Sequence, residues 1–179
     1  MNSNLRHTVL QALAAGSFAS VLSSAALALA GRREAASAAA PINAVSHWYW
    51  GSEALRGQRT DVKHTLVGYV THHIAATFWA AGLAAHLRSR SRPVTPVQLA
   101  GACAATSAIA CFVDFKLTPQ RLTPGYEHRL SRKSLAWTYL LFAVGLAAGC
   151  AAVDSRTRRP SPWPTGANSG SLLRYRWRQ

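Results

Sequence analysis

Two adjacent histidines, His72 and His73, occur in an otherwise apolar stretch at residues 68–80, GYVTHHIAATFWA. An imidazole can exchange a proton near neutral pH, bind haem iron, or simply hydrogen-bond to a neighbour. Adjacent residues on a helix project about 100° apart, so the two rings cannot both point at one centre. His72 shares its helix face with Gly68 and Ala76, and small residues are typical of a face that packs against another helix. The pattern therefore predicts that His72 points inward.

The carboxylate of Asp114 is the expected partner of His72. If the apolar stretches are successive antiparallel helices, both residues lie on the same half of the membrane. That half also receives polar residues from the loops and from the last helix: His47, Glu127, His128 and Tyr139. Ionisable groups at membrane depth are costly and usually functional. The predicted polar site comprises His72, His73, Asp114, His47, Glu127 and His128, and within it His72 and Asp114 would relay a proton or an ion.

Two other interpretations of the histidines stay open. Both rings can be neutral and satisfied by hydrogen bonds from neighbouring helices, each worth roughly 1 kcal/mol. Alternatively, His72 and His86 stand fourteen residues apart and return nearly to one helix face, a spacing similar to that of two-haem cytochrome b helices. The other apolar stretches contain no histidine, so only a homodimer could supply the partner ligands for haem.

The sequence lacks the motifs of soluble enzymes and of metal sites. It contains no GxSxG, no phosphate-binding glycine loop and no HExxH. Its three cysteines, Cys103, Cys111 and Cys150, lie in apolar stretches without CxxC spacing, so we interpret them as small apolar filler. We therefore expect no catalytic residue, no metal and no other cofactor.

Four apolar stretches must position these residues: 8–30, 66–87, 97–113 and 135–153. Each has about the twenty residues that cross ~30 Å of hydrocarbon. Twenty Lys and Arg against six Asp and Glu give a net charge of +14, but the basic residues lie between and beyond the stretches. A nucleic-acid binder would instead group them on one folded face. The sequence predicts an all-α protein, a four-span transmembrane helix bundle in contact with the lipid bilayer and not with nucleic acid.

The two ends of the chain differ in character. The first stretch ends in Ala28-Leu29-Ala30, which resembles a secretory cleavage site. We favour a retained span, because the apolar run is long for a signal core and Arg32-Arg33 follows at once. Residues 154–179 are basic and rich in Pro, Gly and Ser, which predicts a disordered tail.

Small residues recur on three of the stretches. Gly16 and Ser20 belong to a four-residue repeat in the first, and Gly145 and Gly149 are four apart in the last. A third repeat comprises Ala100, Ala104 and Ala108. Membrane helices associate through such faces because the backbones can approach closely. We expect a tightly packed bundle with a spare face for a homo-oligomer or a membrane-protein partner.

The first long loop contains an aromatic segment at residues 42–55, INAVSHWYWGSEAL. Trp and Tyr concentrate at the lipid–water boundary, so the segment predicts a short helix in the interface or a lid over the mouth of the bundle. Four spans put both termini on one side, and ten Lys and Arg fall on each side. The basic end RYRWRQ suits the anionic inner leaflet, and we place the termini inside.

Three strings resemble an uncharacterised group of small bacterial inner-membrane proteins: APINAVSHWYWG, HTLVGYVTHHIAATFWA and VDFKLTPQRLTPGYEHRLS. The resemblance covers roughly residues 41–149. It implies a multi-pass protein of the bacterial cytoplasmic membrane, with no known activity. Our leading hypothesis is a non-catalytic membrane component that acts through helix packing with itself or a partner. The alternative is a small transporter or proton-coupled site around His72 and Asp114, and haem or quinone binding is the third possibility.

Overall fold

The computed structural model describes residues 3–157, and within them the regular secondary structure is entirely helical, without a β-strand. This confirms the predicted all-α class. The α-helices of this part of the chain are α1 (Ser3–Glu34), α2 (Ala40–Val45), α3 (His47–Trp50), α4 (Ser52–Arg56), α5 (Val67–Arg88), α6 (Pro96–Phe112) and α7 (Arg132–Thr157). Short π-helical turns at Val62–Leu66 and Val113–Leu117 adjoin α5 and α6, and 3-10 turns at Gln120–Leu122 and Tyr126–His128 precede α7.

Three helical segments of the described chain are long and apolar enough to cross a membrane: Asn4–Glu34, Pro96–Leu117 and Arg132–Ser155. The prediction of four such spans is therefore wrong for residues 66–87. A 22-residue helix, α5, does form there, but His72, His73 and His86 lower its mean hydropathy.

The helices extend beyond the predicted boundaries. α1 continues through Ala30 to Glu34 without a break, and α7 continues to Thr157. The first residues of the predicted tail, 154–179, are thus helical, and the tail from residue 158 onward lies outside the described residues.

Local side chains fix where α5 and α6 begin. Thr95 and Gln98 form a capping box at the start of α6, with hydrogen bonds of 3.2 and 3.1 Å, and Pro96 occupies the first turn. Before α5, Oδ1 of Asp61 accepts a hydrogen bond of 2.6 Å from the backbone N–H of His64. Each of these side chains accepts a hydrogen bond from a backbone N–H that the first turn of a helix leaves free.

α1 lies at the centre of the bundle. It packs antiparallel to α7 on one side and to α5 on the other, and α6 packs on α7. A Cβ atom at Gly145 would meet the backbone of Ala19, and one at Gly149 would meet the backbone of Ala15. A Cβ at Gly16 would lie 2.7 Å from Thr77. These glycines let α1 approach both neighbours closely.

The outer surface of the long helices is apolar. On α5, Val70, Ile74 and Phe78 are 46%, 63% and 69% exposed and repeat every four residues along one face. α1, α6 and α7 also expose large apolar side chains. An outer surface of this kind is typical of helices that face lipid.

The predicted packing face of α6 points away from the other helices. Ala100, Ala104 and Ala108 are exposed, and the buried face of α6 instead carries Cys103 and Ser107. The hydroxyl of Ser107 donates to the backbone carbonyl of Tyr139 at 2.6 Å, which shows why this face turns towards α7.

Residues 35–66 and 118–131 form a cap over one end of the bundle. The aromatic segment 42–55 is not one interfacial helix, because Gly51 adopts a φ of +55° and separates α3 from α4. The fully buried Asn43 organises the cap. Its side-chain amide donates to the carbonyls of Gly57 and Arg59 at 3.3 and 2.9 Å, and accepts from the Thr65 hydroxyl at 2.6 Å.

Candidate functional site

A cavity of about 80 Å³ lies beneath the cap. All four long helices and both parts of the cap contribute to its wall. Its polar and aromatic lining includes Ser23 of α1, His72 and Trp79 of α5, Asp114 beyond α6, Tyr139 of α7, and Trp48 and Tyr126 of the cap. A volume of this size holds a few water molecules or a small polar group. We call it the capped cavity.

α1 positions the His72 ring. Nε2 of His72 lies 2.8 Å from the Ser23 hydroxyl, and the same hydroxyl donates to the Ala19 carbonyl at 2.7 Å. A hydroxyl has a single proton, so a Ser23 that donates to Ala19 accepts from Nε2–H of His72. This assigns the proton of a neutral His72 to Nε2, and it leaves Nδ1 as the acceptor and basic nitrogen.

Asp114 lies on the π-helical turn that follows α6, and such turns are frequent at functional sites. Its Oδ2 accepts a hydrogen bond of 2.6 Å from the Tyr139 hydroxyl, which lies 3.1 Å from the Tyr126 hydroxyl. Since the Tyr139 proton points to Asp114, Tyr126 donates to Tyr139. Phe115 holds both tyrosine rings through edge contacts, with centroids 6.4 and 5.9 Å away.

Tyr126 belongs to the cap, where burial raises the pKa of its hydroxyl far above the usual value. The hydroxyl therefore stays protonated and remains a donor. A chain of two O–H groups thus runs from the cap through Tyr139 to the carboxylate of Asp114.

Asp114 has no cationic side chain within ion-pair distance in the described part of the chain. Among the described residues, none of those that line the capped cavity is Lys or Arg, and no ion pair includes Asp114. The chain has twenty Lys and Arg in total, so a cavity lining without either residue type is unusual. The carboxylate accepts a hydrogen bond from a neutral hydroxyl, and the imidazole of His72 lines the same cavity.

The cap closes the cavity through contacts between its two parts. The Trp48 indole N–H donates to the Thr123 carbonyl at 2.8 Å. Gly125, at a φ of +89°, lies directly against the Ala44 carbonyl and the His47 ring, with no space for a Cβ atom. The aromatic segment therefore packs over the mouth of the bundle.

The remaining predicted site residues lie outside the cavity. The His73 ring stacks near Tyr69, with centroids 6.0 Å apart. Nδ1 of His47 is 2.8 Å from the Ala44 carbonyl. Glu127 and His128 are 3.8 Å apart, with side chains 20% and 43% exposed. The structure thus brings together His72 and Asp114 and leaves the other four in the cap or between helices.

Sequence reasoning missed Ser23, Trp48 and Tyr126 as members of the site. Ser23 lies among other serines of an apolar stretch, and nothing marks it out before α5 is placed beside it. Pro124-Gly125 marked a turn before Tyr126, but the direction of the tyrosine depends on how that turn packs against α2. These residues come from segments that only tertiary packing brings together.

His86 does not share a site with His72. It is exposed and borders an outer groove between α5 and α6. In the described part of the chain, no three His, Cys, Asp or Glu side chains come close enough to hold a metal ion.

Comparison with known proteins identifies no relative: the chain matches no protein-family model, no curated protein and no solved structure.

Proposed function

We propose that this chain is an integral membrane protein with a proton-coupled binding site, of the kind that a small transporter uses, formed by His72 and Asp114. The observation that carries the proposal is their position in one capped cavity, whose described lining residues include no Lys or Arg. A carboxylate without a counter-charge in an apolar setting is stabilised when it binds a proton or a cation. His72, on the opposite helix, is a second group that can gain or lose a proton there.

We also propose that α5 lies within the bilayer as a fourth bundle helix. The proposal is supported by its contacts with α1, from Gly16–Thr77 to Ser23–His72, because α1 is apolar enough to span. The outer face of α5 is apolar, whereas its polar groups face α1 and the cavity. A cysteine at Ile74 should be protected from a membrane-impermeant maleimide, whereas one at Val62 should react. Equal labelling of the two would contradict this arrangement.

The proposed location is the bacterial cytoplasmic membrane, with both termini inside. With α5 in the bilayer, four crossings place the cap on the outer side. The basic C-terminal residues and the resemblance to small inner-membrane proteins support this orientation. Reporter fusions at the C terminus and in the loop at residues 89–95 should both be cytoplasmic; a periplasmic signal from either would overturn the orientation.

Infrared spectroscopy of the protein in lipid nanodiscs tests the proton-coupled site. The carbonyl stretch of a protonated carboxylic acid should appear reversibly as pH falls, and Asp114→Asn should remove that band. Asp154→Asn, at the other end of the bundle, should leave it in place. If the spectra of wild type and Asp114→Asn are identical over the whole stable pH range, the proposal fails.

A second candidate function, association with itself or a partner through helix packing, has one observation in its favour. Gly16, Gly145 and Gly149 pack within the chain, but Ala100, Ala104 and Ala108 form an exposed small-residue face on α6. A cysteine at Ala104 should give disulfide-linked dimers on oxidation of native membranes, whereas one at Ala81, exposed on α5, should not. A monomer in both cases, with no co-purifying partner, would exclude this role.

A further inference from the structure

We propose that the capped cavity binds the ammonium head of a long-chain primary amine, whose alkyl chain lies in the groove between α5 and α6. The inference rests on the proposed function, because it supplies the ligand that exchanges with a proton at Asp114. Three features of the cavity carry it: its charge, its aromatic wall and its size.

The charge of the cavity favours a cation. Asp114 is the one carboxylate among the described residues that line it, and no Lys or Arg of those residues competes for its charge. The imidazole of His72 and the hydroxyl of Tyr139 also line the cavity. An ammonium group has three N–H donors, so it can donate to Asp114 and to a neutral nitrogen or hydroxyl oxygen at once.

The wall is strongly aromatic. Trp48, Trp79, Tyr126, Tyr139 and Phe142 all border the cavity. Aromatic faces attract cations electrostatically, and the attraction increases when both groups are removed from water. A neutral or anionic head would not gain this stabilisation, and an anion would be repelled by Asp114.

The size of the cavity requires a small head and places the rest of the ligand elsewhere. Its volume of about 80 Å³ is roughly half that of an engineered cavity of about 150 Å³ that holds benzene. A second space of about 340 Å³ lies between α5 and α6, lined mostly by apolar residues such as Leu83, Ala105 and Ile109. α5 and α6 make few contacts with each other, so this groove opens towards lipid.

Trp79 borders both the capped cavity and the outer groove. A rotation of its side chain would join the two spaces. The alkyl chain of an amine could then stay in the groove while its head reaches Asp114. Entry from the membrane, and not through the cap, follows from this arrangement.

Proton exchange gives the binding a definite pH dependence. A protonated Asp114 that accepts the ammonium group releases its proton, which leaves a carboxylate–ammonium pair and one free proton. The titratable groups around Asp114 are Tyr139 and Tyr126 from α7 and the cap, His72 across the cavity, and Cys111, Lys116 and Glu127 nearby. Protonation of His72 would add repulsion, so acid pH weakens amine binding through both residues.

Equilibrium binding of radiolabelled decylamine to the full chain in nanodiscs tests the proposal, with empty nanodiscs as the correction for lipid partitioning. Decanol and decanoate, which share the chain length, should bind at least tenfold more weakly. Decylamine affinity should fall about tenfold per pH unit once Asp114 is protonated. Asp114→Asn should remove both the affinity and its pH dependence, whereas Asp154→Asn should change neither.

The groove is tested separately with Gly82→Leu, at a position where an added side chain meets open space. This change should weaken decylamine binding at least fivefold and leave butylamine, which reaches only the cavity, unaffected. Decanol that binds as well as decylamine, or Asp114→Asn with unchanged affinity, would overturn the ligand assignment. If the infrared band of Asp114 still titrated in that case, the proton-coupled site would stand without this ligand.

Discussion

Asp114 and Asp154 lie at opposite ends of the bundle, and their surroundings differ. Asp154 lies in an open groove of about 610 Å³, 3.3 Å from His7 and 3.3 Å from the Gln11 amide, with its side chain 38% exposed. Asp114 lines a smaller cavity of about 80 Å³ beneath the cap, where the Tyr139 hydroxyl is its donor among the described residues. One carboxylate has an imidazole and an amide as partners, and the other has no cationic partner in the described part of the chain.

This difference indicates which aspartate is arranged for stability and which for function. An exposed and partnered carboxylate costs little and contributes little. A carboxylate enclosed without a counter-charge is expensive, so its retention needs another reason. The cap is what distinguishes the Asp114 end, because residues 35–66 and 118–131 of the described chain lie over it.

The largest expected effect comes from opening the cap. Gly125→Ala combines a left-handed backbone, which costs about 1–2 kcal/mol, with a collision against Ala44 that costs about 1–3 kcal/mol. We expect a loss of about 3 kcal/mol in the free energy of unfolding and exposure of Trp48 to aqueous quenchers. Gly51→Ala is the matched control: its φ is also positive, at +55°, but no atom lies near the added Cβ, so about 1 kcal/mol should be lost. Equal losses in unfolding titrations would show that the cap does not depend on this contact.

The next effect concerns the hydroxyl chain at Asp114. Tyr139→Phe removes the donor to Asp114 and the acceptor for Tyr126, so stability should fall by about 1–3 kcal/mol. Asp114→Asn keeps an acceptor for Tyr139 and removes the unpaired charge, so stability should stay within about 1 kcal/mol of wild type or rise. A large loss on Asp114→Asn, measured by unfolding in mild detergent, would indicate a structural carboxylate and remove the contrast with Asp154.

The smallest effect is a pH dependence of the stability of the turn at residues 62–66, which precedes α5. Hydrogen bonds from the backbone and then the side chain of His64 lower the pKa of Asp61. The hydrogen bonds that Asp61 accepts from His64 are therefore complete above the usual pKa of a carboxyl group. They are lost as pH falls below about 4, through the lowered pKa of Asp61. After correction for the intrinsic pH dependence of exchange, the amide exchange rates of residues 62–66 should rise in acid in the wild type. In Asp61→Asn the corrected rates should not rise. Acid-independent protection in the wild type would contradict the assignment.

The apolar stretches were readable from the sequence because length and composition alone identify a spanning helix, as for 8–30, 97–113 and 135–153. α5 was harder, since the place of His72 depends on Ser23 and the cavity, which only tertiary packing brings beside it. The prediction that His72 and Asp114 lie on the same half of the membrane followed from counting antiparallel helices. The cap did not follow, because Asn43 bonds to carbonyls fourteen and sixteen residues away and no local pattern encodes such contacts. The outward turn of Ala100 and Ala104 likewise depends on which face of α6 meets α7.

The measurement that tests the central claim most directly is the infrared titration midpoint of Asp114 in nanodiscs, compared between His72→Leu and His86→Leu. If His72 and Asp114 form one site, removal of the cavity imidazole should shift the midpoint by about 0.5 pH unit or more, equivalent to about 0.7 kcal/mol. Removal of the exposed His86 should leave it unchanged. A midpoint that does not move in His72→Leu, or that moves equally in both variants, would show that the two residues do not act as one site.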